Sequence, residues 1–493
     1  MSGTQTAGQA EAGVAVRETS DFASLLNREF KPKSDQARSA VEQAVQTLAQ
    51  QALANTTLVS NDSLRSIEAM IAALDAKLTE QVNVIIHNED FQKLESAWRG
   101  LHHLVNNTET DEFLKIRVLN ISKKDLARTL KKFRGTAWDQ SPVFKQLYEQ
   151  EYGQFGGEPY GVLIGDYEFD HGPQDVQLLG DIAQVAAAAH APFIAAAAPG
   201  VLGMESWNEL ANPRDLTKIF QTPEYAAWRS LRESEDSRYI GLCMPRFLSR
   251  LPYGQKTVPV DEFHFEEDVE GADSSKFCWS NAAYAMATNI TRSFKMYGWC
   301  SRIRGVESGG AVEGLPAYTF PTDDGGVAMK CPTEIAISDR REAELAKNGF
   351  MPLIHKKNSD FAAFIGAQSL QKPQEYDDPA ATANANLSAR LPYLFASCRF
   401  AHYLKCMVRD KIGSTMSKDQ LAGWLTSWIS KYVGPSGASE DYKATHPLSE
   451  AKVVLEENEE NPGYYSAKFF LKPHYQLEGL TVSLRLVSRM PAT

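Results

Sequence analysis

No two cysteines of this chain form a C-x-x-C pair; its six, Cys243, Cys278, Cys300, Cys331, Cys398 and Cys406, are scattered. That spacing argues against a disulfide framework and fits reduced thiols in a cytosolic protein. Positive charge is also short. The 51 Lys and Arg against 62 Asp and Glu leave a formal net charge of -11. The mean field therefore repels polyanions, and binding nucleic acid or anionic membrane would require a local basic patch. Motifs of catalysis are missing too: there is no GxxxxGK[ST], HExxH, GxSxG or strand-GxGxxG-helix arrangement. The opening MSGTQTAGQAEAG has neither a basic region nor an apolar core, so no secretory signal is expected and the chain is expected to stay in the cytoplasm.

One run is long and nearly free of charge, VAAAAHAPFIAAAAPGVLGM at 185 to 204. Its length allows a membrane span. Its Ala and Gly gain little from lipid, however, and Pro192 and Pro199 would each remove a helical hydrogen bond. The expectation is a buried helix end followed by a buried strand.

What is present is a globular composition. The 493 residues, 43% hydrophobic and 23% charged, predict about two to four packed units with substantial cores. Residues 1–16 are small and polar and read as a disordered tail. Phe22, Leu25, Leu26 and Phe30 then share one arc of about 140° on a short helix, which Pro32 ends, so that 17–34 is a helix and its break. Residues 35–110 read as helical. From Phe113 strands and helices alternate, with FLKIRVLNI (113 to 121), GVLIGDYEF (161 to 169), FIAAAA (193 to 198) and YIGLCM (239 to 244) as strands. The fold class is therefore α/β (mixed), with a sheet covered by helices across 111–386. Long Gly- and Pro-rich loops fill 304–332 and 371–383, a size that is usually functional or interfacial. The last part, 387–493, opens with helices at 387–412 and 418–432. It closes in strands at 451–457, 464–472 and 480–487, and terminal strands can pair with those of a neighbour.

Three groupings bear on chemistry. Cys398, His402 and Cys406 climb one helix face, but i and i+8 lie about 12 Å apart, too far for one ion to be held by all three. On the same helix Phe400, Tyr403, Leu404, Met407 and Val408 fall in one arc and Arg399, His402, Lys405 and Arg409 in the opposite one. The basic arc is either a solvated stripe or a grip for an acidic partner. The acidic runs DEFHFEED (261 to 268) and EENEE (456 to 460) read as solvated loops, since metal sites need ligands converging from a shaped loop. No catalytic, cofactor-binding or metal residues are assigned.

Longer blocks are more specific than any of these. The segments EDFQKLESAWRGLHHLVNNTETDEFLKIRVLNISKKDL (89 to 126), WRSLRESEDSRYIGLCMPRFLSRLPYG (228 to 254) and WSNAAYAMATNITRSFKMYGWCSRIRG (279 to 305) resemble the TssC/VipB family of large sheath subunits. So do KCPTEIAISDRREAELAKNGFMPLIHKKNSDFAAFIGAQSLQKPQEYDD (330 to 378) and ATANANLSARLPYLFASCRFAHYLKCMVRDKIGS (381 to 414). The resemblance runs from about residue 20 to the C-terminus.

It implies an N-terminal helical region, a central α/β body and a C-terminal phage-tail-sheath-like α+β domain with strands shared between subunits. The shared strands would carry Val453, Val454, Phe469, Phe470, Val482 and Leu484, and the helix with Arg399, His402, Lys405 and Arg409 would face the inner tube. The implied function is a contractile sheath that assembles with the small subunit TssB around an Hcp tube, docks on a baseplate and drives type VI secretion. Phe22, Leu25, Leu26 and Phe30 would be the helix that the ATPase ClpV takes hold of when it recycles spent sheath. The implied setting is the cytoplasm of a Gram-negative bacterium, without nucleic acid, membrane insertion, cofactor or enzymatic activity. Two rivals remain: a phage or pyocin-type tail sheath, and a cytosolic enzyme whose site would lie in the long loops.

Overall fold

The structure, a computed structural model, describes residues 63–212, 215–271, 273–457, 465–474 and 476, with Gln36, Ser39, Gln43 and Thr47 besides. The expected tail, the short helix with Phe22, Leu25, Leu26 and Phe30, and the strand with Val482 and Leu484 lie outside the described residues. The chain divides into two compact units, Met1–Phe91 with Pro252–Val269, and Gln92–Leu251 with Glu270–Thr493.

In the first unit, helix α1 (Ser63–Ile86) is tied to the acidic run at 261 to 268 through one amide. Asn83 Nδ2 donates to the Glu266 carbonyl at 3.0 Å, and Asn83 Oδ1 accepts from Asp268 N at 2.8 Å. Glu267 is buried, accepts from Tyr253 N at 2.8 Å and lies 3.4 Å from His87 Nε2. Asp261, Glu262, Glu266 and Asp268 are exposed, as expected of a solvated loop, and Glu267 is the exception. Side-chain composition alone cannot distinguish a carboxylate facing water from one that closes a turn of backbone donors.

The second unit is built on a six-stranded sheet in the order β1-β2-β3-β9-β10-β6. Its strands are β1 (Leu163–Phe169), β2 (Phe193–Ala197), β3 (Ile240–Met244), β6 (Ala311–Val312), β9 (Phe350–His355) and β10 (Ala362–Phe364). Two short pairs lie apart, β4 (Phe247–Leu248) with β5 (Trp279–Ser280) and β7 (Thr319–Pro321) with β8 (Val327–Met329), and β11 (Leu448–Glu457) pairs with β12 (Tyr465–Pro473). β1, β2, β3 and β9 are parallel, and β10 turns back antiparallel to β9 and β6. Parallel central strands need cover on both faces, and the side-chain alternation provides it. Phe193, Ala195, Ala197, Leu242, Met244 and Phe350 enter one core, while Ile194, Cys243, Met351 and Leu353 enter the other.

The first core is closed by helices α4 (Pro173–Ala189) and α5 (Ala226–Glu233), with Leu178, Leu179 and Trp228 buried in it. Before them in sequence come α2 (Glu89–Asn106) and α3 (Lys123–Lys132). The apolar run at 185 to 204 ends α4 and forms β2, whose five residues are all buried. No helix of the described residues is long and apolar enough to cross a membrane. The second core holds α6 (Ala282–Tyr297), with Tyr284 and Met286 buried in it. Tyr284 presses so closely on α2 that a Cβ at Gly100 would stand 2.3 Å from its ring, which requires glycine there.

Helix α7 (Asp339–Lys347) precedes β9, and α8 (Leu391–Lys411) and α9 (Lys418–Ser430) follow the sheet. The expected helix at 387–412 is two, Pro379–Ser388 and then α8, because Pro392 sits in the first turn of a new helix. α8 bridges two cores. Leu391, Leu394, Phe395 and Cys398 enter the core of the sheet, whereas Phe400 and Leu404 join Trp299, Leu425, Ile429, Leu448 and Leu455 in a third. α8, α9 and the strands β11 and β12 lie in the same compact unit as the sheet.

Candidate assembly surfaces

Three of the four basic residues of α8, His402, Lys405 and Arg409, meet the segment that follows α3, where the short turn Pro142–Phe144 runs into the π-helix Lys145–Tyr152. That segment offers a row of rings. Phe144 stacks on Tyr148 at 4.8 Å, and Tyr148 meets Tyr152 edge-on at 5.4 Å. Lys405 Nζ lies 3.8 Å from the Tyr152 ring centre and donates to Tyr148 Oη at 2.9 Å. Arg409 donates to the Gln154 carbonyl at 2.8 Å with its guanidinium 5.3 Å from the Phe155 ring. Arg399 lies 4.6 Å from the ring of Tyr403 on its own helix. Aromatic faces attract such cations, more strongly as water is excluded.

His402 is only 2% exposed. Its Nε2 donates to the Ala189 carbonyl at 2.9 Å, which fixes Nδ1 as the unprotonated nitrogen of the neutral ring. That Nδ1 has no hydrogen-bond partner. Burial, with the nearby charges of Arg399 and Lys405, pushes the His402 pKa down to about 4. His190, 6.3 Å away between ring centres, is lowered by burial and by Lys405.

The expectation of one open basic face is thereby corrected. A wheel drawn at 100° per residue sorts side chains by polarity. It cannot show that a neighbouring segment lays tyrosine rings over the polar side. Arg399, Lys405 and Arg409 are half-buried and His402 is enclosed.

The paired strands β11 and β12 keep the expected residues together, with Val453 opposite Phe469, Val454 opposite Lys468 and Phe470 opposite Lys452. Val453 and Phe469 pack on the third core, while Phe470 on the other face is 57% exposed. Among the described residues the two strands form a sheet of their own, and the start of β11 makes one further bridge, from Leu448 to Val433.

A larger surface escaped the sequence reading. The segment FLKIRVLNI is extended but unpaired, with Phe113, Val118 and Leu119 exposed. A cleft of about 950 Å³ separates it from β1, floored by α2 and α6. β-propensity marks a chain that fits a pleated sheet, but a strand also needs a partner, and the described residues contain none for this segment. A strand-like run whose neighbour in sequence is a helix on each side was the available signal.

Comparison with known proteins settles the lineage. Residues 68–371 match the family described as EvpB/VC_A0108, tail sheath N-terminal domain, and residues 380–490 match the EvpB/VC_A0108, tail sheath gpW/gp25-like domain. The chain belongs to the TssC/VipB tail-sheath family. The type VI secretion system sheath protein TssC1 of Pseudomonas aeruginosa is 73% identical over 494 residues, covering 100% of this chain and 99% of that protein. Among solved structures, the anti-feeding prophage baseplate is similar with a TM-score of 0.39 at 9% identity, over 77% of this chain and 84% of the other. The contracted helical sheath of the same prophage gives 0.30 at 11%, over 63% and 66%. The open cleft and the exposed face of β12 are the candidates for surfaces that meet other subunits.

Proposed function

We propose that this contractile-sheath component polymerises with a small partner subunit, TssB, around an Hcp inner tube on a baseplate, and contracts to drive type VI secretion. The observation that carries the reading is that tail-sheath matches cover residues 68–371 and 380–490 and a 73% identical sheath relative covers the whole chain. In this reading the chain is mechanical and not catalytic, and works in the cytoplasm. Energy is stored in assembly: extended and contracted lattices differ in interface free energy, and shared strands keep neighbours joined while domains rotate.

The strands with Val453, Val454, Phe469 and Phe470, and the terminal one with Val482 and Leu484, are proposed as the shared set. The tube-facing role is proposed for the half-buried charges of Arg399, Lys405 and Arg409; enclosed His402 supports them from behind. The apolar face of Phe22, Leu25, Leu26 and Phe30 is proposed as the handle for ClpV, since a short helix can bury such a face in a groove.

The test is electron microscopy of the chain co-expressed with the small subunit encoded beside it, against the chain alone. Hollow tubules in the co-expression only are expected. Tubules from the chain alone would move it to a single-protein phage-type sheath, and a monodisperse particle carrying a bound small molecule would reopen the enzyme reading.

A further inference from the structure

β1 ends the sheet order, so among the described residues one of its edges has no strand beside it, although Lys123 Nζ donates to the Glu168 carbonyl at 2.6 Å and Asn281 Nδ2 to the Tyr167 carbonyl at 3.4 Å. Residues 114–121 run beside it in the same direction. Arg117 reaches Glu158 at 3.0 Å and Tyr160 Oη at 3.4 Å before β1 begins, and Tyr167 Oη donates to the Ile121 carbonyl at 2.7 Å near its end. Yet no backbone hydrogen bond joins the two, and among the described residues none reaches the peptide N–H groups of 115–121. Two unpaired edges with a cleft between them have the form of a sheet lacking one strand, because neighbouring strands lie about 4.8 Å apart and a skipped one leaves about twice that.

The walls of the cleft agree with this form. Leu94, Trp98, Val118 and Leu119 expose 52–68% of their surface, more apolar area in one place than scattered surface residues explain. At one end, Arg399 Nε and His402 Nδ1 are buried without hydrogen-bond partners, and both residues line the cleft. They are one donor and one acceptor, the complement of a peptide group's C=O and N–H, and buried polar groups are normally satisfied.

We propose that this cleft receives an extended strand of a second polypeptide, apolar at alternate positions, paired with residues 114–121 on one side and with β1 on the other. A small molecule would leave both backbone edges unpaired, and a helix would present no free donors or acceptors to them. The inference rests on the two-component reading above and identifies where the small subunit enters.

Hydrogen–deuterium exchange tests it on the full chain, alone and in complex with the co-expressed small subunit. The amides of 115–121 are expected to exchange freely in the chain alone and to slow by at least about tenfold in the complex. Val118→Asp with Leu119→Asp is expected to abolish co-purification without lowering the melting temperature, since both side chains are exposed. If the small subunit co-purifies and tubules form while 115–121 exchange unchanged, this site is wrong and the sheath reading stands. Slow exchange in the chain alone overturns it too, because the cleft is then filled by the chain's own residues. Failure of the wild-type chains to associate removes the two-component reading itself.

Discussion

Lys405 Nζ stands 3.8 Å from the centre of the Tyr152 ring and donates a 2.9 Å hydrogen bond to Tyr148 Oη. The ammonium thereby fastens α8 to the π-helix at 145 to 152. A π-helix turn has poorer internal geometry than an α-helix and persists where outside contacts hold it. Lys405→Met keeps the apolar stem and removes the charge. It is expected to cost about 1–3 kcal/mol in chemical denaturation, the range of a partly desolvated cation–π contact plus a charged hydrogen bond. An unchanged unfolding midpoint would show that water serves the ammonium equally well. Because Arg399 and Arg409 have the same kind of partners, Arg399→Glu with Arg409→Glu is expected to lower stability as well as assembly.

A second prediction concerns acid. His402 is neutral and buried with a pKa of about 4, below the usual 6.5. As pH falls from about 6.5 towards 4, the unfolded chain binds a proton at this site that the folded chain does not. Stability contributed by the neutral ring is therefore intact above 6.5 and is lost progressively down to about 4, by about 3 kcal/mol in all. His190 titrates in the same direction. Melting temperatures measured between pH 7 and 4 should fall more steeply for the natural chain than for His402→Gln. Parallel pH profiles would mean that water enters beside the ring and relieves the burial.

Much of this arrangement was legible in the sequence, and the exceptions have physical causes. Apolar runs between helices marked strands at 161–169, 193–198 and 239–244, within a residue or two of where they lie, because each is a local pattern of side chains. The buried course of the run at 185 to 204 followed from two prolines and from the small gain that alanine makes in lipid. Residues 113–121 have the same local pattern and yet form no strand, since pairing depends on what lies alongside and not on the segment itself. The basic face of α8 failed for a related reason. Its wheel was right, but Tyr148 and Tyr152, more than 240 residues earlier, cover it. Tyrosine is both apolar enough to be buried and a partner for cations, so polarity alone could not sort the faces. Glu267 likewise looked solvated among its acidic neighbours until Tyr253 N and Asn83 were brought beside its turn.

A third prediction follows from a buried ion pair in the middle of α2. Glu95 Oε1 accepts from Arg250 Nε at 2.6 Å and from Arg99 Nε at 2.7 Å. Burial alone would raise the Glu95 carboxyl, but the hydrogen bonds and charges of Arg250 and Arg99 outweigh it and hold the pKa below 4.5. The carboxylate's contribution is thus present above pH 4.5 and lost as pH falls through the depressed value. Arg250, 9% exposed, cannot be removed without leaving a charge poorly solvated. Arg250→Ala is expected to cost about 3–5 kcal/mol, whereas Arg99→Ala, at a more exposed position, should cost about 1 kcal/mol. Equal losses in denaturant titrations would show that the two arginines share the load.

The last prediction separates folding from assembly in the β11–β12 pair. Phe469 points towards Trp428 and the other side chains of the third core, and Phe470, the next residue, points away and is 57% exposed. Adjacent strand residues face opposite sides, so two substitutions one position apart probe two different surfaces. Phe469→Ala removes packing and is expected to lower stability by about 2–4 kcal/mol. Phe470→Asp touches no core and should leave the melting temperature within the error of an exposed substitution, about 0.5 kcal/mol. If the outer face of this pair meets a neighbouring subunit, as proposed, the same Phe470→Asp chain co-expressed with the small subunit should form no tubules. Full-length tubules from it would place the shared surface elsewhere on the molecule, with the described fold of the hairpin unaffected.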